Sequence, residues 1–236
     1  MEPEYNAETS SVISTNSWAI LQLMEGEQTE AFKLLHLALD ASRSHLGNIS
    51  PALWDYQGNA PPTLDAHIHP ISLEGVTVNR GNPVPDNYFR MYRCVYSIEG
   101  ADCESEVLAP EVTVVLVYNL AVVYHEVGFL TADNDLIDKA LRLYELARMV
   151  LARARETKRQ ILAMNLAELE LAVLNNLGHT YAYFMKYEQM DLQRDALRLL
   201  VQDLGPRAVE PQVFQFFAEN VLLSLEQDHR LPAPAA

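Results

Sequence analysis

The sequence is short of basic residues. It holds 17 lysines and arginines against 32 aspartates and glutamates, so its formal net charge is −15. Binding to a nucleic-acid backbone needs a basic surface, and so does docking on anionic lipid. The charge balance therefore predicts a protein that binds neither nucleic acid nor membrane. Where its carboxylates concentrate, such a chain is expected to select basic partners.

Cysteine is nearly absent. Two residues, Cys94 and Cys103, cannot build a disulfide framework. A single bridge between them stays open, and free thiols in a reducing compartment are the simpler interpretation. The stretch Met1–Tyr5 is acidic and polar, without the basic and apolar regions of a signal peptide. We therefore expect a cytoplasmic protein.

Long apolar runs are also missing. The best candidate, Val112–Val123, is interrupted by Thr113, Tyr118 and Asn119 and is shorter than the roughly 18 residues of a spanning helix. Hydrophobic residues make up 49% of the chain and charged residues 21%, which is typical of a globular protein. A length of 236 residues suffices for a buried core.

The motifs of the common enzyme classes do not occur. The sequence has no GxxxxGK[ST], no GxGxxG and no GxSxG. His125-Glu126 does not begin an HExxH motif, since position 129 is Phe129. The sequence therefore predicts a protein that is not an enzyme and has no cofactor. Catalytic groups that meet only in the fold are left open by this argument.

Apolar residues recur at three and four positions over most of the chain, which predicts helices. Glycine is expected to end the first and third of them, at Gly26 and Gly128. The predicted helices are Val12–Met24, Thr29–Ser44, Glu111–Val127, Leu136–Glu156, Arg159–Tyr187, Asp191–Asp203 and Pro211–Glu226.

Residues 51–110 differ, because seven prolines in this stretch disfavour long helices. Alternating apolar residues predict strands over Leu73–Asn79 and Tyr88–Ile98. The two strands are expected to form an antiparallel ribbon with Asn79–Asn87 as its loop. A lone ribbon is marginal in water, so it should pack on the helices.

A pattern repeats along the helical part. Asn119-Leu120-Ala121 is followed by Tyr124, and Asn176-Leu177-Gly178 is followed by Tyr181 at the same spacing. The next helices match as well, at Ala140 and Ala196. In the first hairpin the corresponding small residues are Ala19, Ala31 and Ala38.

These residues resemble the tetratricopeptide repeat, a helix–turn–helix unit. In that family a small residue on the first helix lets the second helix approach, and an aromatic residue fills the gap behind it. The resemblance departs at the turns: the family's tight turn is expected only after the first helix, since the later spacings are longer. It covers about two-thirds of the chain.

The predicted fold class is therefore all-α. It is a tetratricopeptide-like array of about three antiparallel helical hairpins with a C-terminal capping helix, interrupted by a small β-containing insertion at 51–110. Neighbouring hairpins stack because one hairpin cannot bury its apolar faces alone. A single domain is expected over residues 11–226, with a disordered N-terminus at 1–10 and a disordered tail at 227–236.

Asparagines recur on the first helices of the hairpins. In the family that this chain resembles, the groove formed by first helices binds extended peptides, and asparagines there hold the ligand backbone. An asparagine amide has two N–H donors and one acceptor oxygen, which suits that role. Bracing a neighbouring turn would use the same groups. The partner-binding candidates are Asn119, Asn175, Asn176 and Tyr183.

Two smaller clusters are weighed beside the asparagines. Arg153, Arg155 and Arg159 end a predicted helix, where cations oppose the negative end of the helix dipole; they are also candidate contacts for an acidic ligand. His67 and His69 would share one face of an extended segment, as a metal pair does. No further ligand is evident nearby, so no metal site is predicted.

The sequence thus predicts a non-enzymatic interaction module, a scaffold or adaptor that binds a peptide or protein partner in a helical groove. Two alternatives stay open. One is a hydrolase or metal-dependent enzyme with a site in the 51–110 insertion. The other is a self-occluded structural protein, in which the insertion fills the groove.

Overall fold

A computed structural model describes residues 12–47, 67–73, 90–99, 110–157, 166–206 and 208–228. Within these ranges the protein is mostly helical, with seven helices and one two-stranded sheet. In chain order the elements are α1 (Val12–Met24), α2 (Gln28–Gly47), β1 (His67–Ser72), β2 (Cys94–Glu99), α3 (Pro110–Thr131), α4 (Asn134–Thr157), α5 (Ala167–Tyr183), α6 (Tyr187–Leu204) and α7 (Pro211–Asp228).

The chain divides into two compact units. The first contains residues 1–78 and 94–123, and the second contains residues 79–93 and 124–236. The single domain over 11–226 stays a prediction. Helix α7 continues to Asp228, two residues into the predicted tail. Residues 1–11 and 229–236, which include the rest of both predicted termini, lie outside the described residues.

In the first unit, α1 and α2 pack as a helical hairpin and β2 packs on α1. The small residues Ala19, Ala31 and Ala38 are almost fully buried between them. Because these side chains end at Cβ, the two helices approach closely. The same unit buries the apolar residues of α3 up to Val123.

The ribbon of the first unit is antiparallel, as predicted, but its first strand lies earlier in the chain. β1 pairs His67 with Glu99 and Ser72 with Cys94, whereas Leu73 is not in a strand. Residues 74–89, with the rest of the predicted strand, its loop and the start of the second strand, lie outside the described residues. Pro70 concealed β1 from sequence analysis, because proline has no N–H for a sheet ladder. It is tolerated here since β1 is an edge strand.

In the second unit, α4 packs on α5, α5 on α6, and α7 on both α5 and α6. The core holds Ile137, Tyr144 and Leu197, which are fully buried, together with Phe217 of α7. Helix α5 begins at Ala167, so the predicted start at Arg159 lies in the stretch 158–165 outside the described residues.

Helix α3 is the most apolar element. Its stretch Val112–Thr131 is long and apolar enough to cross a membrane, and 72% of its apolar window is buried inside the protein. Burial against other elements accounts for this composition. The predicted end of α3 at Gly128 is wrong, since the helix continues to Thr131. A Cβ at Gly128 would lie 2.6 Å from Cγ1 of Ile137, so this glycine allows α4 to approach rather than ending the helix.

One turn geometry closes all three helical hairpins. After α1, Glu27 N–H donates to Gln22 O at 2.8 Å, with Gly26 at φ 84°. After α3, Asp133 N–H donates to Gly128 O at 2.9 Å, with Ala132 at φ 53°. After α5, Lys186 N–H donates to Tyr181 O at 2.9 Å, with Met185 at φ 55°. Each is a Schellman turn, whose left-handed position favours glycine.

The prediction that only the first hairpin has the tight turn is therefore wrong. Alanine and methionine occupy the left-handed position in the second and third turns, where the sequence carries no glycine to mark them. Tertiary packing of the two helices holds these residues in a conformation that a side chain disfavours.

Replacing Met185 with glycine is expected to stabilise the protein by about 0.5–1 kcal/mol, because glycine adopts positive φ without a Cβ clash. Met185 is 72% exposed, so little packing is lost. Urea denaturation followed by circular dichroism measures the change. The matched control is Gly26→Ala at the same turn position, which should destabilise by a similar amount. A Met185→Gly variant less stable than the parent would contradict this account of the turn.

Candidate functional site

Residues 90–93 belong to the second unit and residues 94–99 to the first. In each unit, buried asparagines on helices bond backbone atoms of that unit's own residues in this stretch.

In the first unit, Asn119 of α3 binds both backbone groups of Tyr96. The Tyr96 N–H donates to Asn119 Oδ1 at 2.8 Å, and Asn119 Nδ2 donates to the Tyr96 carbonyl at 2.8 Å. Asn16 of α1 donates to the same carbonyl at 3.1 Å and accepts the second Asn119 proton at 2.9 Å. We call Asn16 and Asn119 the Tyr96 clamp.

The ring of Tyr96 is buried as deeply as its backbone. It is 1% exposed and meets the ring of Tyr118 edge to face, with centroids 5.4 Å apart. Pro70, which lies opposite Tyr96 in the ribbon, has no N–H to donate. The N–H and C=O of Tyr96 bond to asparagines on the helices instead.

In the second unit, Asn176 of α5 binds Tyr92 in the same way. The Tyr92 N–H donates to Asn176 Oδ1 at 2.8 Å, and Asn176 Nδ2 donates to the Tyr92 carbonyl at 3.1 Å. The carbonyl of Arg90 accepts from Asn175 at 2.8 Å and from Asn220 of α7 at 2.9 Å. We call Asn175, Asn176 and Asn220 the Tyr92 clamp.

The Tyr92 clamp is saturated. Asn175 also donates to Asn176 Oδ1 at 3.2 Å, and Asn220 donates to Asn175 Oδ1 at 2.6 Å. Asn220 Oδ1 accepts from Arg90 N at 3.3 Å. Every amide proton of the three side chains therefore has an acceptor, as burial in a low-dielectric interior requires.

Side chains of the extended residues are bound as well. The Tyr92 hydroxyl donates to Glu168 at 2.6 Å, and its ring packs against Phe216 and Phe217 at 5.3 and 4.8 Å between centroids. Arg90 forms an ion pair with Glu219 at 2.6 Å. The Arg90 guanidinium also lies over the Phe216 ring, 5.2 Å from its centroid.

A buried hydrogen-bonded relay leads away from the Tyr92 clamp. Asn176 Nδ2 donates to the Tyr144 hydroxyl at 3.2 Å, and that hydroxyl lies 3.2 Å from His125 Nδ1. His125 Nε2 lies 3.2 Å from His179 Nδ1. Since an amide nitrogen only donates, the Tyr144 oxygen accepts from Asn176.

Burial shifts the ionisation of this relay. It holds the pKa of His125 well below the usual value, and the nearby His179 lowers it further. Burial also lowers the pKa of His179, to about 4. The pKa of the Tyr144 hydroxyl is raised, chiefly by burial. Both imidazoles and the phenol are therefore neutral at pH 7.

The structure places the predicted asparagines where their amides bind an extended backbone, but that backbone belongs to this chain. Asn119 is in the Tyr96 clamp, and Asn175 and Asn176 are in the Tyr92 clamp. Tyr183 is apart from both clamps, with its hydroxyl donating to Asn134 Oδ1 at 2.5 Å and its ring against Phe129 and Phe184.

The remaining predictions concern the arginine cluster, the histidine pair and the two cysteines. Arg153 and Arg155 lie in the last turns of α4, and Arg159 falls outside the described residues. His67 and His69 lie in β1 with ring centroids 6.0 Å apart. Among the described residues no group of three or more histidines, cysteines or carboxylates is arranged to hold a metal. Cys94 lies in β2, and Cys103 lies outside the described residues.

Sequence analysis missed several residues of the clamps. Asn16 carried a signal, because it precedes Ala19 by three residues as Asn175 precedes Gly178. Asn220 lies within the apolar pattern of α7, where a buried amide needs partners. Tyr144, Glu168 and Arg90 carried none, since their partners are distant in sequence.

Comparison with known protein families, with curated proteins and with solved structures finds no match for this chain.

Proposed function

We propose that this chain is a non-enzymatic interaction module whose asparagine clamps bind the backbone of an extended peptide, and that its own residues around Tyr92 and Tyr96 are an internal occupant. One observation supports the proposal above the others. In each unit a buried asparagine bonds the N–H and the C=O of a single extended residue. Main-chain bonds of this kind supply affinity for any extended segment, and side-chain pockets supply specificity.

An internal occupant sets the conditions for partner binding. A tethered segment competes at an effective concentration in the millimolar range. A partner peptide therefore binds with an affinity reduced by the fraction of molecules whose clamp is free. Loosening the internal occupant should raise the affinity for a peptide added in trans.

A second candidate is the self-occluded structural protein. It is supported by the same saturation of the clamps, because every amide proton of the Tyr92 clamp is already used within the chain. The two candidates differ in one measurable respect: the structural protein binds no peptide even when its internal occupant is weakened.

The experiment uses a library of extended peptides, screened against the full chain and against its Arg90→Ala/Tyr92→Ala variant. The variant keeps the backbone but loses the side-chain contacts to Glu219, Glu168 and the two phenylalanines. We expect it to retain peptides at least about tenfold more tightly than the parent, by the competition argument above.

The matched control is Lys33→Ala/Tyr187→Ala, which makes the same kinds of truncation at exposed sites. It should bind peptides no better than the parent. Circular dichroism and a urea titration establish that each variant is folded. If the folded Arg90→Ala/Tyr92→Ala variant retains no peptide at all, the module is not a peptide binder and the structural candidate takes its place.

A further inference from the structure

We infer that the Tyr92 clamp selects an extended partner peptide with the pattern Arg-x-Tyr-Arg, the pattern of the chain's own residues 90–93. This inference rests on the proposed function and names the class of its partner, a basic and aromatic peptide. The hydrogen bonds described above between the clamp asparagines and residues 90–93 are to backbone atoms, apart from the Asn220 contact to Arg90 Nε. Selection among extended peptides must therefore come from the side-chain contacts.

The tyrosine position is the most demanding. Tyr92 is 6% exposed, its ring lies against Phe216 and Phe217, and its hydroxyl donates to the Glu168 carboxylate at 2.6 Å. A hydrogen bond to an ionised acceptor in a partly buried site is roughly twice as strong as a neutral one. A phenylalanine at this position would fill the space but leave Glu168 without that donor.

Arginine at the first position is recognised through its charge and through its stacking on an aromatic ring. Arg90 bonds Glu219 at 2.6 Å and lies over Phe216 at 5.2 Å. The hydrogen bonds from Gln215 and then from Arg90 hold the pKa of the Glu219 carboxyl below its usual value, so this carboxylate is ionised at neutral pH. Lysine would match the charge but not the planar stacking and the fork of donors.

The second arginine position faces another carboxylate. Arg93 bonds both oxygens of Glu126, with Nε at 2.5 Å and Nη2 at 2.9 Å, in the bidentate geometry that favours arginine. The Glu126 side chain is 13% exposed, so this pair is better shielded from solvent than the Arg90 pair. Between the arginines, Met91 has no strong donor or acceptor, and this position is the unselected x.

Charge complementarity favours such a partner. Three glutamates, at 126, 168 and 219, face two arginines and a phenolic hydroxyl. In a chain of net charge −15, residues 90–93 are a local basic sequence. An acidic or neutral extended peptide would not supply the donors that these carboxylates receive from residues 90–93, and the loss is largest at Glu126, whose side chain is only 13% exposed.

The test measures fluorescence anisotropy of a labelled, capped peptide with the sequence of residues 87–93, titrated with the full chain carrying Arg90→Ala/Tyr92→Ala. We expect saturable binding to this variant. The parent should bind the peptide at least about tenfold more weakly, because its internal occupant competes. In the peptide, replacing tyrosine by phenylalanine should weaken binding about tenfold, and replacing either arginine by glutamine about fivefold.

A charge-reversal pair isolates the Arg90 position. Adding Glu219→Arg to the protein should weaken its binding of the unmodified peptide. A peptide with glutamate at the first arginine position should recover most of the lost affinity. A scrambled peptide of the same composition is the control for non-specific attraction between a basic peptide and an acidic protein. Should the double variant fail to fold, the same series is run with Arg90→Ala alone.

The outcomes separate the two proposals. If library peptides bind but the arginine and tyrosine replacements leave affinity within twofold, the Arg-x-Tyr-Arg inference is overturned and the proposed function stands. If the scrambled peptide binds equally well, the inference is likewise overturned. If no extended peptide binds either folded variant, the proposed function fails, and this inference with it.

Discussion

Replacing Asn176 with alanine is expected to lower the free energy of unfolding by about 3–5 kcal/mol, because the buried amide makes several hydrogen bonds and each orphaned partner costs about 1–3 kcal/mol. The side chain is 0% exposed and bonds Tyr92 N, Tyr92 O, Tyr144 and Asn175. Alanine removes all four bonds and leaves a small cavity. Urea denaturation followed by circular dichroism measures the loss.

Two further variants separate hydrogen bonding from shape. Asn176→Asp keeps the acceptor for Tyr92 N–H but replaces the donating NH₂ by an oxygen that faces the Tyr92 carbonyl. We expect it to destabilise about as much as alanine, since a donor is lost and a charge is buried. Asn134→Ala removes an exposed asparagine that accepts one bond from Tyr183, and should cost less than about 1 kcal/mol. An Asn176→Asp variant as stable as the parent would show that the amide only fills space.

The position of the asparagines on first helices left two roles open, holding an extended backbone or bracing a neighbouring turn. Asn119 and Asn176 have the donors and acceptor to hold one extended residue by its N–H and C=O, and they do so. The same bonds form with a segment of the same chain or with a partner. Nothing in the pattern around either asparagine distinguishes the two, so the internal occupant was one alternative among others.

The contacts that distinguish Arg90, Tyr92 and Arg93 were beyond sequence analysis for a related reason. Their partners lie on α3, α5 and α7, up to 130 residues away in sequence. Local periodicity indicates which face of an element is buried, and in a strand it indicates only that the two faces alternate. It does not indicate which carboxylate a residue of the extended segment contacts. The helices could be predicted because their periodicity depends on neighbours within a few residues. The ribbon pairs residues as far apart as His67 and Glu99, and its first strand was predicted too late in the chain.

The errors in the predicted elements share one physical origin. Gly128 lies inside α3 instead of ending it, and Pro70 lies in a strand. Ala132 and Met185 occupy the left-handed turn positions. In each case the local preference of the residue is overridden by packing between elements: a close helix approach, a fixed hairpin turn or an edge strand. Propensity alone therefore misplaced the end of α3 and the whole first strand of the ribbon, although it identified the helices by type.

Acid is expected to destabilise the second unit through its buried histidines. The pKa of His179 is about 4 in the folded protein and about 6.5 when unfolded, so the unfolded chain binds an extra proton between these values. The contribution to stability is complete above pH 6.5 and is lost as the pH falls towards 4. At 1.36 kcal/mol per pKa unit, protonation of His179 should lower the free energy of unfolding by up to about 2 kcal/mol by pH 5. This figure is an upper value because the side chain is partly exposed.

His125 adds to this loss in the same direction, since burial and His179 lower its pKa well below the usual value. Tyr144 from α4 and Phe129 on α3 contact His125, and Phe129 also contacts His179. The charge of Glu126 acts on the Tyr144 hydroxyl, whose pKa is raised chiefly by burial. A proton added to either imidazole would place a charge in a site where burial disfavours it.

The measurement is the unfolding free energy at several pH values between 7.5 and 5, where most carboxylates stay ionised. His179→Phe, which keeps a ring against Phe129, should be less stable at pH 7.5 but lose less stability on acidification. His36→Gln, at an exposed site of the first unit, should follow the parent curve. Because the slope with pH counts protons and not absolute stability, it isolates the relay even if His179→Phe packs imperfectly. A parent slope that His179→Phe leaves unchanged would mean that the acid sensitivity arises elsewhere and that the two histidines are not held neutral by burial.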